Sequence, residues 1–281
     1  MTMKKNSKKT LNTLFTLALA AFSLSVSAIT HANNTPDKLS TAVSGEHRSA
    51  THKARDQFRH PTETLMFFGF RPEMTVVEIT PGGGWYTEIL APALKGTGKL
   101  YLAQYPDTGK DDYYSKSRKS LEKKVASSPV YSEVIITDFS PKKTSELAPA
   151  NSADLVLTFR NLHNWGEAGI EQVFKDAFNA LKQGGVLGVV EHRMPSSQKW
   201  EDNKRSGYVP TKMVIRLAEK AGFKLADSSE INANAKDSAD HPKGVWTLPP
   251  VLRLGEKDKA KYLAIGESDR MTLKFVKPAA K

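Results

Sequence analysis

The chain has 281 residues, 39% of them hydrophobic and 25% charged, which suits a soluble globular protein of one large or two small α/β domains. It contains no cysteine, which excludes a disulfide framework and thiol chemistry. The net charge is +11, and setting aside Lys4, Lys5, Lys8 and Lys9 leaves 37 basic against 30 acidic residues, a surplus that favours acidic substrates or anionic surfaces over cationic ones.

The lysine-rich start leads into an uncharged, largely apolar run, Leu11 to Val26, followed by the small residues Ser27-Ala28 and Thr30-His31-Ala32. The run is shorter than the roughly 20 residues of a membrane span. It reads as a secretory signal cleaved after Ala32, with Ala28 as second choice and an uncleaved anchor as the alternative. The folded part is then expected in the periplasm or outside the cell. Residues 33 to 60 form a polar segment and helix, loose to about residue 45 and helical from His47 through Arg59. The main domain spans 61 to 281. Arg55, Arg59 and His60 cluster before Pro61; a solvated helix face is their plain reading and substrate contact the alternative. Pro61 suits the first turn of a second helix, Thr62 to Phe68, closed by Gly69.

Next comes Thr75-Val-Val-Glu-Ile-Thr-Pro-Gly-Gly-Gly-Trp-Tyr86, a β-branched strand, a glycine turn and a helix carrying Tyr86, Ile89, Leu90 and Leu94. Glycines let backbone approach a ligand without a Cβ in the way, and the helix start offers unpaired N–H groups. The dinucleotide fingerprint fits Gly82 and Gly84 but places Thr87 at its third glycine, which disfavours a nicotinamide-dependent reductase. The phosphate-loop pattern fails at its second glycine. What remains is Glu78, Gly82 and Gly84 in acidic-x-x-x-Gly-x-Gly. This resembles motif I of the class I S-adenosylmethionine-dependent methyltransferases, with Thr80 in place of the first glycine. The competing reading is a glycine-rich turn without a ligand.

The resemblance implies a Rossmann-like α/β fold: a seven-stranded, mostly parallel sheet with a closing antiparallel strand and helices on both faces. It sets expectations for the strands that follow. Lys99 to Gln104 is strand two, and the family's ribose-binding acidic position falls on Gln104, with Asp107 three residues later. Asp111 to Ser127 reads as a helix with Tyr114, Leu121 and Val125 inward and a basic run outward. That run lacks the aromatic interleaving of a nucleic-acid site, while an anionic membrane surface stays open as a partner. Strand three, Glu133 to Thr137, ends in Asp138-Phe139, the pair that the family places against adenine. Strand four, Asp154 to Thr158, runs into Phe159-Arg-Asn-Leu-His-Asn-Trp165, and the resemblance puts Arg160 and Asn161 at the cofactor. Ile170, Val173, Phe174, Ala177 and Leu181 form a helical stripe before strand five, Val186 to Val190, which ends in Glu191-His192-Arg193. A helix from Lys212 to Ala221, a strand at Lys224 to Ala226 and a last strand, Asp269 to Val276, complete the order, which resembles the exported bacterial members called predicted methyltransferases.

Methyl transfer is an in-line displacement, so a base helps only where the acceptor carries a proton. His163, His192 and Tyr208 are the candidates, with Glu191 placed to orient His192. Trp85, Tyr86 and Trp165 are available to face a sulfonium. The scattered histidines, without H-E-x-x-H, argue against a metal, and the absence of G-x-S-x-G argues against a serine hydrolase. The expected activity is therefore S-adenosylmethionine-dependent methyl transfer to a small-molecule acceptor. Because S-adenosylmethionine is made in the cytoplasm, an exported ligand-binding module that keeps the fold without the reaction is the competing class.

Overall fold

The computed structural model describes residues 35–279, so the signal-like segment and its cleavage sites lie outside the described residues. Seven strands form one sheet in the order β3-β2-β1-β4-β5-β7-β6. They are β1 (Thr75–Ile79), β2 (Lys99–Gln104), β3 (Val134–Asp138), β4 (Ala153–Phe159), β5 (Leu181–His192), β6 (Lys224–Ser229) and β7 (Arg270–Val276). Neighbours from β3 to β5 are parallel, and β7 runs antiparallel to both β5 and β6. This is the α/β sheet expected from the sequence.

The helices are α1 (Thr35–Ser44), α2 (Ala50–Lys53), α3 (Asp56–Arg59), α4 (Pro61–Phe68), α5 (Thr87–Leu94), α6 (Tyr113–Ala126), α7 (Gly166–Ala180), α8 (Trp200–Asn203), α9 (Thr211–Lys220) and α10 (Lys259–Ile265). Central strands buried on both faces need apolar side chains in both directions, and β1 supplies them. Val77 and Ile79 pack with Val173, Phe174 and Ala177 of α7 and Val214 and Leu217 of α9, while Val76 packs with Leu65 and Phe68 of α4 and Ile89 and Leu90 of α5. On β5, Gly188 is required by close approach: a Cβ there would stand 2.7 Å from Leu157 Cδ2 and 2.8 Å from the Phe68 ring.

Two local expectations change. Residues 35–44, expected to be loose, form α1, because Leu39 and Ala42 bury themselves against the α4 and α5 face. Truncating Leu39 to Ala should therefore lower stability by about 2–5 kcal/mol, read by urea denaturation, as for any well-packed core leucine. The helix expected from His47 through Arg59 is two single turns, α2 and α3, and Arg59 is 4% exposed rather than solvated.

In a doubly wound sheet, ligands sit beyond the carboxyl ends of the strands where the order reverses. Here β1 lies between β2 and β4, so the crevice falls between the β1–α5 turn and the segment after β4.

Candidate functional site

A cleft of about 220 Å3 opens at that crevice, lined by Thr80, Gly82, Gln104, Tyr105, Tyr113, Tyr114, Ser117, Asn161, Asn164 and Trp165. The β1–α5 turn forms its floor. Gly82 and Gly84 adopt φ of 59° and 74°, and a Cβ on Gly82 would meet no atom within 4 Å, so its backbone is bare toward open space. Thr80 occupies the left-handed region at φ 45°, which a β-branched residue enters only under strain, and its buried hydroxyl has no hydrogen-bond partner. Strain and an orphaned polar atom at one residue are the marks of a site that a ligand completes.

The other predicted residues divide. Asn161 donates to Ile79 O at 3.0 Å and to Thr158 Oγ1 at 3.2 Å, which ties the segment after β4 to the end of β1. Gln104 reaches the cleft, but Tyr105 N donates to its Oε1 at 3.0 Å and its Nε2 donates to Ser117 Oγ at 3.1 Å. Asp107 stays outside the cleft lining and accepts from Gly109 N at 2.9 Å. Glu78 does not reach the lining: it is buried and accepts from the Thr87 hydroxyl at 2.6 Å, which fastens α5 to β1. Burial pushes its carboxyl up to about 7 against the opposing hydrogen bond from Thr87. Asp138, expected at the adenine, stands exposed outside the cleft lining and accepts from Arg118 at 2.8 Å. Phe139 lies behind the wall, its ring 5.4 Å from Tyr105 and 5.5 Å from Trp165.

Of the aromatic candidates, only Trp165 lines the cleft, and its Nε1 donates to Tyr105 Oη at 3.0 Å. Trp85 lies under the Arg59 guanidinium at 4.6 Å, and Tyr86 stacks on Phe159 at 3.6 Å. Tyr105, Tyr113 and Tyr114 line the cleft without belonging to any motif that the sequence displays. The helical period turned Tyr114 inward, yet it is 45% exposed and stands 4.5 Å from Tyr105 across the cleft. The signal that could have found Tyr105 is its place directly after Gln104 at the end of β2.

A second constellation lies over β4, β5 and β7, with His163 and His192 themselves off the cleft lining and His163 between the lining residues Asn161 and Asn164 in sequence. Glu191 is fully buried, and its carboxylate accepts from the backbone N–H groups of Leu162 (2.6 Å), His163 (3.4 Å) and His192 (2.8 Å). Its Oε1 also lies 3.2 Å from His163 Nδ1, so it orients His163 and not the His192 ring. A carboxylate can only accept here, which assigns the proton to Nδ1 and leaves the His163 Nε2 lone pair free. The His192 ring instead places Nδ1 2.5 Å from Ser268 Oγ, and burial, then His163, Arg270, Arg160 and Arg59, hold its basicity well below the ordinary imidazole value. Tyr208 is a correction: it is fully buried, its hydroxyl donates to both oxygens of Asp237 at 2.9 Å, and it lines no part of the cleft. Burial and Asp237 push that phenol far above neutrality, so it acts as a structural link.

Arg160 follows β4 at φ 62°, with its N–H donating to Val190 O at 2.7 Å. Its side chain stays off the cleft lining and joins Arg55, Arg59, Arg270 and Glu267. Ligand atoms of His163, Glu191 and His192 lie within 4.8 Å of one another, a grouping that no linear motif displayed. The arginines bearing on His192 and the backbone N–H groups saturating Glu191 make the surroundings better suited to an anion than to a cation.

No protein-family profile matches the sequence, and no curated protein matches it. The fold does match solved structures. An S-adenosylmethionine-dependent methyltransferase from Aquifex aeolicus is 15% identical, with 86% of this chain and 98% of that chain covered at a TM-score of 0.52. A proposed sarcosine dimethylglycine methyltransferase from Galdieria sulphuraria is 13% identical, with 80% and 86% covered at 0.55. The 4+2 cyclase SpnF is 13% identical, with 89% and 96% covered at 0.55. These likenesses establish the fold, a Rossmann-like sheet that S-adenosylmethionine-dependent methyltransferases use.

Proposed function

We propose that the protein binds S-adenosylmethionine in the cleft between β1 and β4 and transfers its methyl group to a small-molecule acceptor, at the exported location that the N-terminal segment implies. The observation that carries this reading is Thr80, a strained residue with an unpartnered buried hydroxyl beside the bare backbone of Gly82, at the crevice where this fold takes ligands. When bound, the cofactor supplies an electrophilic methyl on a positively charged sulfur. The chain's own task is then alignment, which can be worth effective molarities of about 10⁵–10⁸ M.

In this reading Gly82 lets the backbone approach the ligand, Gly84 at φ 74° supplies the tight turn behind it against Lys124, and Thr80 Oγ1 finds its partner at the ligand. Tyr105, Tyr113, Tyr114 and Trp165 form an aromatic wall that favours both a flat base and a sulfonium. Gln104 Oε1 and Ser117 present acceptors to ribose hydroxyls. Asp138, off the cleft lining and engaged by Arg118, makes no contact with the ligand in this reading, while Glu78 and Phe139 hold the floor and wall in place. His163, oriented by Glu191, takes the acceptor's proton on Nε2. His192 stays neutral and shapes the same wall.

The test is transfer of labelled methyl from S-adenosylmethionine into a mixture of small-molecule acceptors. Transfer is expected, and His163→Gln should reduce it by about 10²–10⁴, the usual range for a general base, without weakening cofactor binding. Unchanged transfer in His163→Gln would remove the base assignment. The second reading, a binding module, is favoured by Gln104, a neutral amide already bonded to Tyr105 N and Ser117. It predicts binding with no transfer to any acceptor.

A further inference from the structure

Four guanidinium groups meet beyond the ends of β4 and β5 beside His192, with Glu267 among them and Glu78 within electrostatic reach of Arg160. Glu267 accepts from Arg55 Nε at 2.5 Å and from Arg59 Nε at 3.4 Å, and it pairs with Arg270 Nη2. Arg270 is the register partner of His192 across β5 and β7, and its Nη1 donates to Phe58 O at 2.8 Å. The remaining Nε of Arg270 is buried without any partner. Among the described residues, no hydrogen bond or ion pair holds the Arg160 side chain. Burial and Arg270 draw the Arg160 guanidinium down to about 10, and burial and Arg160 draw Arg59 down as well.

Glu267 is shared by Arg55, Arg59 and Arg270 and forms no ion pair with Arg160, and Arg59 and Arg270 are only 4% and 2% exposed. Buried cations without counter-charges are costly, and guanidinium forks match the two-oxygen geometry of a carboxylate or phosphate. Arg59 and Arg270 lie deep while Arg55 and Arg160 are part-exposed, a recess that suits a small anionic group better than a membrane surface. The cluster adjoins the segment after β4 that carries both Asn161, on the cofactor cleft, and His163.

Resting on the methyl-transfer reading, we propose that the acceptor is an anion, a small molecule bearing a carboxylate or phosphate, whose charged group is received by Arg160 together with Arg59 and Arg270. The proton-bearing atom that accepts the methyl is then a separate group presented to His163. As it bonds to the methyl carbon, the carbon–sulfur bond breaks, the neutral thioether S-adenosylhomocysteine leaves, and the acceptor's proton passes to His163 Nε2.

The test is calorimetric titration of the full folded chain with inorganic phosphate and, separately, with acetate, alongside S-adenosylhomocysteine. Saturable binding of one anion is expected, and the tighter probe assigns phosphate or carboxylate. Arg160→Gln should weaken it at least about tenfold, Arg160→Lys less, because the charge survives without the fork. S-adenosylhomocysteine affinity should stay within about twofold, as expected for separate sites. Circular dichroism checks that both variants fold. The proposal is overturned if the wild type binds neither anion up to about 50 mM, a concentration that reveals even very weak sites. It is also overturned if Arg160→Gln binds the anion as well as wild type, or loses S-adenosylhomocysteine instead. Anion binding without any S-adenosylhomocysteine binding would leave the anion site standing and sink the methyl-transfer reading alone.

Discussion

Gly82→Leu is expected to remove measurable S-adenosylmethionine binding while leaving the protein folded. The residue sits at φ 59°, so any side chain strains the backbone by about 1–2 kcal/mol. That penalty is survivable within the ordinary 5–15 kcal/mol of domain stability. The larger effect is steric. A Cβ at Gly82 meets no protein atom within 4 Å, so the leucine would occupy the cleft itself. A loss of affinity of more than about a hundredfold corresponds to about 3 kcal/mol, a modest toll for a filled binding site. Gly84 is a contrasting position: a Cβ there would meet the Lys124 side chain at 2.8 Å, so its substitution disturbs protein packing before it disturbs the cleft. Calorimetry reads the affinity and a thermal melt reads the fold. Retained binding in Gly82→Leu would place the ligand elsewhere.

Glu267→Ala should be among the most destabilising single changes in the chain. Its carboxylate holds Arg55, Arg59 and Arg270, and removing one member of a buried ionic group typically costs about 3–5 kcal/mol because the stranded charges remain. Urea denaturation at neutral pH measures it. The same group predicts an acid limit. Burial alone would raise the Glu267 carboxyl, but Arg270, Arg59 and Arg55 outweigh it and hold the group at about 2. A depressed acid contributes its stability above its unfolded value of about 4.3 and loses it as the pH falls through the folded value. Stability of the wild type should therefore fall between about pH 4 and pH 2, and in Glu267→Ala this component of the fall should be missing. An alanine variant as stable as wild type would mean that the arginines find other partners.

The sheet was legible in the sequence because its central strands are short runs of β-branched and apolar residues, as in Val76-Val77 and Val189-Val190, separated by helical stripes such as Ile170, Val173, Phe174 and Ala177. The glycine turn after β1 was legible for a local reason, three consecutive glycines between a strand and a helix. Helix α1 was not, since Leu39 and Ala42 are too few to mark a period and acquire meaning only by packing on the α4 and α5 face. The orientation of Glu191 was missed because sequence adjacency suggests His192, whereas adjacent residues on a strand point to opposite faces and the carboxylate meets His163 from the neighbouring strand end. The arginine cluster was hidden most completely. Arg55 and Arg59 precede the first strand, Arg160 follows the fourth, Glu267 precedes the seventh and Arg270 opens it, so only the closed sheet brings them together. Tyr208 failed as a site residue for the opposite reason: its chemistry suited a base, but its hydroxyl belongs to Asp237.

The most direct measurement is a crystal structure of the protein grown with S-adenosylhomocysteine. The adenosyl group should lie between the Thr80 to Gly84 turn and the Asn161 to Trp165 segment, with Thr80 Oγ1 bonded to it and its sulfur open toward His163. A ligand bound away from that turn, or a cleft filled by its own side chains, would contradict the account.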